Sequence, residues 1–324
     1  MNAAASMEAR QLAEQTRRSE AASAVFDPPL AFSDLSIRLD GQLVYIRYRD
    51  QELPLQHRHW DKLRALYERQ HADQELLLPR LWCMLRRYQT VFGGHGGAEA
   101  APAARATEGS GFHAAAPVSL FKALQETLAV GLECFASPLN CYLPTYCSAF
   151  ADTDRFFGSL GSFFHLDLQE GSCQANPPFN EEVMAAMADR IEELLSSPTA
   201  GALSFAVIVP EWVNPPTPAL ETMKRSRFLR AELVVRSTDH AYRNGQQHLV
   251  QESAELFPPF HDSHLFVLQN DAGADRWPAT PAVMERLAAA WSVAPAPRTA
   301  SDGRPGPSAT NGGGEGQRQS SGDA

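Results

Sequence analysis

Hydrophobic and polar residues alternate at Leu35, Ile37 and Leu39, and again at Leu43 and Tyr45, with Asp40-Gly41 between the two runs. Period-two alternation on both sides of an Asp-Gly pair predicts a β-hairpin. From about His57 to Phe92 the period becomes helical: Trp60, Leu63, Leu66 and Tyr67 share one face, and Leu81, Trp82, Leu85 and Tyr88 another. An aromatic stripe at that spacing predicts helix-packing core rather than a base-stacking platform. A further helix is expected from Val118 (Phe121, Leu124, Leu128). Short apolar runs follow at Val130–Ala136, Ser162–Leu168, Leu203–Val209 and His264–Leu268, the third being the clearest buried strand. Residues 163–175 read as extended, broken by a turn at Gly171. Asn180 as N-cap, Glu181 and Glu182 in the first turn, and Val183, Met184, Met187, Ile191, Leu194 and Leu195 on one face predict a helix over 180–196. That helix runs into the strand at Leu203, a helix–strand pair of the βαβ kind. The last expected helix spans Pro281 to Trp291.

These patterns divide the chain into a tail (1–25), a hairpin plus helical domain (26–92), a Gly- and Ala-rich insertion (93–117), an α/β domain (118–292) and a disordered Pro-, Gly- and Ser-rich tail (293–324). Composition adds four constraints. A net charge of −10 argues against a general nucleic-acid coat protein, so any RNA contact needs a local basic patch. The densest one is Lys224, Arg225, Arg227 and Arg230. No apolar run approaches the ~20 residues of a membrane span, and Met1 to Glu20 lacks a signal-peptide core, so a soluble intracellular chain without membrane contact is expected. Five cysteines without a C-x-x-C spacing exclude a standard zinc finger and read as reduced thiols. His261 and His264 lack identifiable further ligands and read as loop histidines, so no metal is expected.

The segment carrying the most chemistry is Asn176-Pro177-Pro178-Phe179, which resembles the pocket motif of amino-group methyltransferases. An exocyclic adenine amine is a poor nucleophile because its lone pair is delocalised. An Asn side-chain oxygen and the carbonyl of the following Pro can accept its two hydrogens, fix it, and leave the lone pair facing a methyl donor. The prolines stiffen the loop, and the Phe offers a face for the base. Pro-Pro also occurs at Pro28-Pro29, Pro215-Pro216 and Pro258-Pro259, so the four residues alone are a weak signal. The expected strand before the 176 copy and helix after it supply the context that the others lack.

Collinear segments widen the likeness. They are Pro79 to Tyr88, Glu133 to Asn140, Tyr146 to Asp154, Phe157 to Phe163, Asn176 to Phe179, Pro210-Glu211-Trp212, Tyr242 to His248 and Phe266 to Asp271. Together they resemble the catalytic core of the phosphorylated C-terminal-domain-interacting factor family, the cap-specific adenosine methyltransferases. The resemblance implies an α/β fold: a Rossmann-like S-adenosylmethionine-dependent methyltransferase domain with a smaller, mainly helical N-terminal domain. It implies methylation of the 6-amino group of the 2′-O-methyladenosine next to the 7-methylguanosine cap of mRNA, without a metal, and nuclear location, with the cytoplasm as the alternative. Animal members also carry a WW module that binds phosphorylated polymerase tail peptides. This chain has no matching Trp pair near its start, so direct tail binding is not expected.

In that reading Asn176 and Pro177 hold the amine, beside Pro178, and Phe179 stacks on adenine. The cofactor is expected at Phe135, Ala136, Ser137, Pro138 and Asn176, with Gly158 and Gly161 as a second place where backbone could approach a ligand. Both segments read equally as an ordinary strand end and turn. Glu181 either binds substrate or caps a helix dipole; Trp212 either stacks on a base or packs in the core, with Glu211 accepting from a guanine edge. Lys224, Arg225 and Arg227 are candidates for phosphate, or a solvated loop. Two alternatives stay open: an adenine methyltransferase acting on internal RNA or DNA sites, and a non-catalytic RNA or transcription-factor binding module of the same fold.

Overall fold

A computed structural model describes residues 34–91 and 114–292; both expected tails and most of the expected insertion lie outside them. The hairpin is the start of an antiparallel three-stranded meander: β1 (Leu35–Asp40), β2 (Leu43–Tyr48) and β3 (Gln51–Gln56). Asp40 pairs with Leu43, so the two-residue turn is Gly41-Gln42, one place later than the Asp-Gly signal suggests. Gly41 supplies the positive φ of 59° that such a turn requires. The helical stretch is two helices, α1 (His57–Glu68) and α2 (Leu77–Val91). The two expected aromatic faces belong to different helices, which is why their phases differ. Val44, Ile46, Leu55, Leu63, Tyr67 and Leu81 form the core of this unit, and Leu139, Tyr146 and Phe157 from beyond the insertion complete it.

Ala114–Ala115, placed by composition at the end of the insertion, form β4. Next come α3 (Val118–Leu128), β5 (Leu132–Ala136), β6 (Tyr146–Ser148), the single turn α4 (Ala151–Asp154), β7 (Gly171–Ala175), α5 (Glu181–Ser196), β8 (Leu203–Pro210) and α6 (Pro218–Arg225). The chain continues through β9 (Leu229–Val235), β10 (Tyr242–Asn244), β11 (Leu256–Phe257), β12 (Ser263–Gln269), α7 (Asp271–Arg276) and α8 (Pro281–Trp291). The run at 162–168 is not a strand. Its residues 163–165 form a 3-10 turn capped by the Ser162 hydroxyl, and Phe163 packs edge-on against Phe205. Phe163, Leu166 and Leu168 are buried, and such apolar positions satisfy a core wall as well as a strand, so periodicity alone could not separate them.

The central sheet has the order β6-β5-β7-β8-β12-β9. β6, β5, β7 and β8 are parallel, while β12 runs antiparallel to both β8 and β9. One face of the sheet packs on α5 and α6 through Met184, Met187, Ile191, Leu220 and Met223. The other packs on α3 and α8 through Leu120, Leu124, Leu287 and Trp291. β8 is buried along its full length, the signature of a strand covered on both faces. Asn180 caps α5, its side chain accepting from the Val183 N–H at 3.1 Å, so the chain turns from β7 into the helix within five residues. Among the described residues no helix is long and apolar enough to cross a membrane.

Ile191 is fully buried between α5 and the sheet. Truncation to Ala should cost about 2–5 kcal/mol of unfolding free energy, measured by urea denaturation. A loss below about 1 kcal/mol would mean that this helix is not docked as described.

Candidate active site

Parallel pairing of β5, β7 and β8 brings their carboxyl ends to one edge, where open α/β sheets place their ligands. A cavity of about 290 Å³ opens there. Its walls come from four directions: Ala114 to Ala116 and Phe121 on one side, Glu133 to Ser137 with Asn140 at the end of β5, Ser148 to Phe150 with Ser162 to Phe164, and Gln174 with Asn176 to Pro178 at the end of β7. Tyr88, from α2, reaches it from the N-terminal unit.

Asn176 is 9% exposed, and its Nδ2 donates to the Ala114 carbonyl at 2.5 Å. That bond orients the amide and leaves Oδ1 buried without a hydrogen-bond partner among the described residues. A buried acceptor left open on a cavity wall is costly in itself, and it is what a donor on a ligand would satisfy. The turn that follows is tight, with Asn180 N–H donating to the Pro178 carbonyl at 2.7 Å.

The β5 end is held as firmly. Asn140 Oδ1 accepts from both the backbone N–H (2.8 Å) and the hydroxyl (2.9 Å) of Ser137. Glu133 is buried, and its Oε1 accepts from Tyr142 N–H at 2.6 Å and Leu143 N–H at 2.5 Å. Burial pushes its carboxyl up to about 7, against the pull of those two amides and of Lys62 and Arg243. Among the described residues Glu133 is the one charged residue in the lining. An apolar cavity with a single buried acid and an open amide oxygen suits a cationic ligand that also carries apolar surface. The sulfonium and ammonium of S-adenosylmethionine, with its adenosine, are such a ligand, so the residues present fit the implied donor.

Of the expected cofactor residues, Phe135, Ala136, Ser137 and Asn176 line the cavity and Pro138 does not. Neither Gly158 nor Gly161 lines the cavity: a Cβ at Gly158 would come within 3.1 Å of Gln70 of the N-terminal unit, and the Gly161 carbonyl accepts from the N–H of the lining residue Ser148 at 2.8 Å. Phe179 corrects a second expectation. It is 7% exposed, lies outside the lining, and packs edge-on against Tyr242 with ring centroids 5.6 Å apart. Its apolar ring is buried in the core on the α3 and α8 side, so the structure gives it a role in fixing the loop rather than an open face.

Glu181 is exposed in the first turn of α5, outside the lining. Glu211 and Trp212 follow β8 on the same edge, beyond the cavity lining. Glu211 N–H donates to the Asp262 carbonyl at 2.7 Å, and its carboxylate lies 3.3 Å from the Nε2 of His264, which is buried in β12 rather than placed on a loop. Trp212 meets His261 edge-on at 6.4 Å.

The basic cluster is divided and turned away. Lys224 lies 3.7 Å from Glu232, Arg225 pairs with Glu221, and Arg230 pairs with Asp271. Arg227 stacks on Phe228. Leu229 pairs with Leu268, and Gln269 with Ser204, which puts Arg225, Arg227 and Arg230 at the amino edge of the sheet. Ser204 pairs with Ser172 and Val207 with Ala175, so three strand steps, about 10 Å, separate that edge from the start of the motif loop. Local charge density could not reveal this, because α6 carries the chain back across the sheet before β9 begins.

Sequence patterns missed the β4 wall and Tyr88. An Ala-Ala pair carries no periodicity, and Tyr88 reads as helix core; its hydroxyl in fact donates to buried Asp154 at 2.6 Å.

A mixed α/β chain whose mainly parallel sheet places an Asn-Pro-Pro-Phe loop beside a cavity at its carboxyl edge is of the class to which methyltransferase domains belong. A family model described as "Phosphorylated CTD interacting factor 1 WW domain" matches residues 62–245, more than half of the chain, and the chain belongs to that family. The human protein named mRNA (2'-O-methyladenosine-N(6)-)-methyltransferase is 41% identical over 271 residues, covering 83% of this chain and 37% of its own length. The mouse protein of the same name is 41% identical over 271 residues, covering 83% and 36%. The chain thus spans little more than a third of the length of these curated relatives.

Glu133 allows a test of the site's electrostatics. A carboxyl raised from 4.5 to about 7 by folding holds its proton more tightly in the native state. Its contribution is therefore present below pH 4.5 and is lost as pH rises toward 7, by about 1 kcal/mol per pH unit within that window. Replacing it by Gln, which keeps an acceptor for the two amides, should remove this slope, measured by denaturation between pH 5 and 8. An unchanged slope would mean that Glu133 is not the group responsible.

Proposed function

We propose that this chain transfers the methyl group of S-adenosylmethionine to the 6-amino group of the 2′-O-methyladenosine adjacent to the 7-methylguanosine cap of mRNA, through a Rossmann-like domain. The observation that carries the reading is the buried Oδ1 of Asn176, left without a hydrogen-bond partner among the described residues on a side chain that lines the cavity and whose Nδ2 is held by the Ala114 carbonyl. Family membership and the names of the human and mouse relatives support the choice of acceptor.

When bound, S-adenosylmethionine supplies an electrophilic methyl group on a sulfonium; the remaining work falls to residues of the chain. Asn176 Oδ1 and the Pro177 carbonyl accept the two hydrogens of the amine, which fixes the nitrogen and turns its lone pair toward the methyl. As the bond forms, positive charge develops on nitrogen and its N–H groups become stronger donors. Both acceptors therefore bind the transition state better than the ground state. An amide oxygen does not take up the proton, so Asn176 holds the nitrogen while the proton leaves to solvent. Pro178 and the packed Phe179 restrict the loop, so little conformational freedom is lost when substrate binds. In this reading Glu211 and Trp212, on the same edge, meet the nucleotide beyond the acceptor.

Two RNAs beginning with adenosine, one with a 7-methylguanosine cap and one with a bare triphosphate, would be methylated with labelled S-adenosylmethionine. Transfer to the capped RNA is expected. The Asn176→Ala variant should lose about 100- to 1,000-fold in kcat while its RNA Kd stays within a fewfold. Equal transfer to both RNAs would replace this reading with a general adenine methyltransferase. Equal losses in kcat and affinity would remove the role given to Asn176.

A further inference from the structure

Gln174 lies two residues before Asn176 and is 1% exposed. It lines the same cavity, and its Nε2 has no hydrogen-bond partner among the described residues. Asn176 and Gln174 share a face because strand side chains alternate, with Gln174 about 7 Å nearer the amino end of β7. In the parallel pairing of β5 and β7, Glu133 stands opposite Gln174. Paired residues share a face, so a buried carboxylate and a buried, unpaired amide donor sit side by side at the floor of the cavity. A buried polar group normally has a partner. Here the chain leaves one acceptor open at Asn176 and one donor open at Gln174.

We propose that Gln174 is a positioning residue for the amino-acid end of the methyl donor, its Nε2 donating to the α-carboxylate while the adjacent Glu133 faces the α-ammonium. The inference rests on the methyltransferase reading of the cavity. If the amine is held at Asn176, the sulfonium lies beside it, and a short aliphatic chain links sulfur to the α-carbon. The two charged ends of that chain then fall one short strand step from Asn176, where Glu133 and Gln174 are. The pair is complementary to a zwitterion: an acceptor for the ammonium and a donor for the carboxylate. The acceptor base has less claim on Gln174, since its ring nitrogens lie beside its amine, at the level of Asn176. This arrangement would set the reach of the sulfonium, so Gln174 acts through the cofactor and not on the reacting atoms.

The test is calorimetric and needs no turnover. S-adenosylhomocysteine and its decarboxylated counterpart, which keeps the amine but lacks the carboxylate, would be titrated into wild-type protein, Gln174→Leu and Gln174→Glu. Wild type should bind the carboxylate-bearing ligand more tightly. The Leu variant should lose about tenfold to a hundredfold in Kd for S-adenosylhomocysteine, the worth of a hydrogen bond to a charged group, and almost nothing for the decarboxylated ligand. The Glu variant, close in shape to the native residue, should bind S-adenosylhomocysteine worse still and the decarboxylated amine at least as well as wild type. It decides the matter if the Leu variant fails to fold. Equal losses for both ligands in the Glu variant, or no loss for either, would overturn the assignment to Gln174. Failure of wild type to bind S-adenosylhomocysteine at all would instead overturn the methyltransferase reading and this inference with it.

Discussion

The hydrogen bond from Asn176 Nδ2 to the Ala114 carbonyl is the constraint on which the site depends. An amide side chain can present either its donor or its acceptor to a ligand, and the two faces select opposite chemistry. Here the donor is taken by a backbone carbonyl 62 residues away in the chain, so the acceptor is the atom left without a partner among the described residues. The same bond ties the β7 loop to β4, and β4 in turn pairs with β10. The far side of the cavity is thus joined by backbone pairing to the Tyr242 to Asn244 segment, and Tyr242 is also the ring against which Phe179 packs. One polar contact and one aromatic contact hold the motif loop from opposite ends.

Around that loop the chain keeps most of its charge away from the cavity. Among the described residues the lining contains one acid, partly neutral near pH 7 because burial disfavours its charge, and no base. The arginines that might have met RNA phosphates are paired with acids or stacked on the protein, three of them at the amino edge of the sheet. In an apolar cavity an unpartnered carbonyl oxygen has a larger effect than it would in bulk water.

Legibility in the sequence followed the range of the interaction. The helix of residues 181–196 was plain from its N-cap and apolar face, because capping and i, i+4 packing act within a few residues. The strand at Leu203–Pro210 was plain because burial on both faces leaves an uninterrupted apolar run. The run at 162–168 was misread: Phe163 and Leu166 are core residues on an irregular segment, and apolarity reports burial without reporting backbone shape. The helical stretch at 57–92, with its two faces, is two helices, and the period alone does not mark the break because each half keeps a valid helical face.

The sequence by itself determined the α/β alternation, the strand–loop–helix setting of Asn176 and the chemical type of the motif, all of which rest on residue identity and local period. Tertiary structure alone decided which way the Asn176 amide faces, that Phe179 is packed rather than open, that Tyr88 and Ala114 wall the cavity, and that Arg225 and Arg227 lie on the far edge. Each of these depends on strand order, register or a contact between distant segments. A pattern of hydrophobic and polar positions shows that a face is buried; only the folded chain supplies the residue it is buried against.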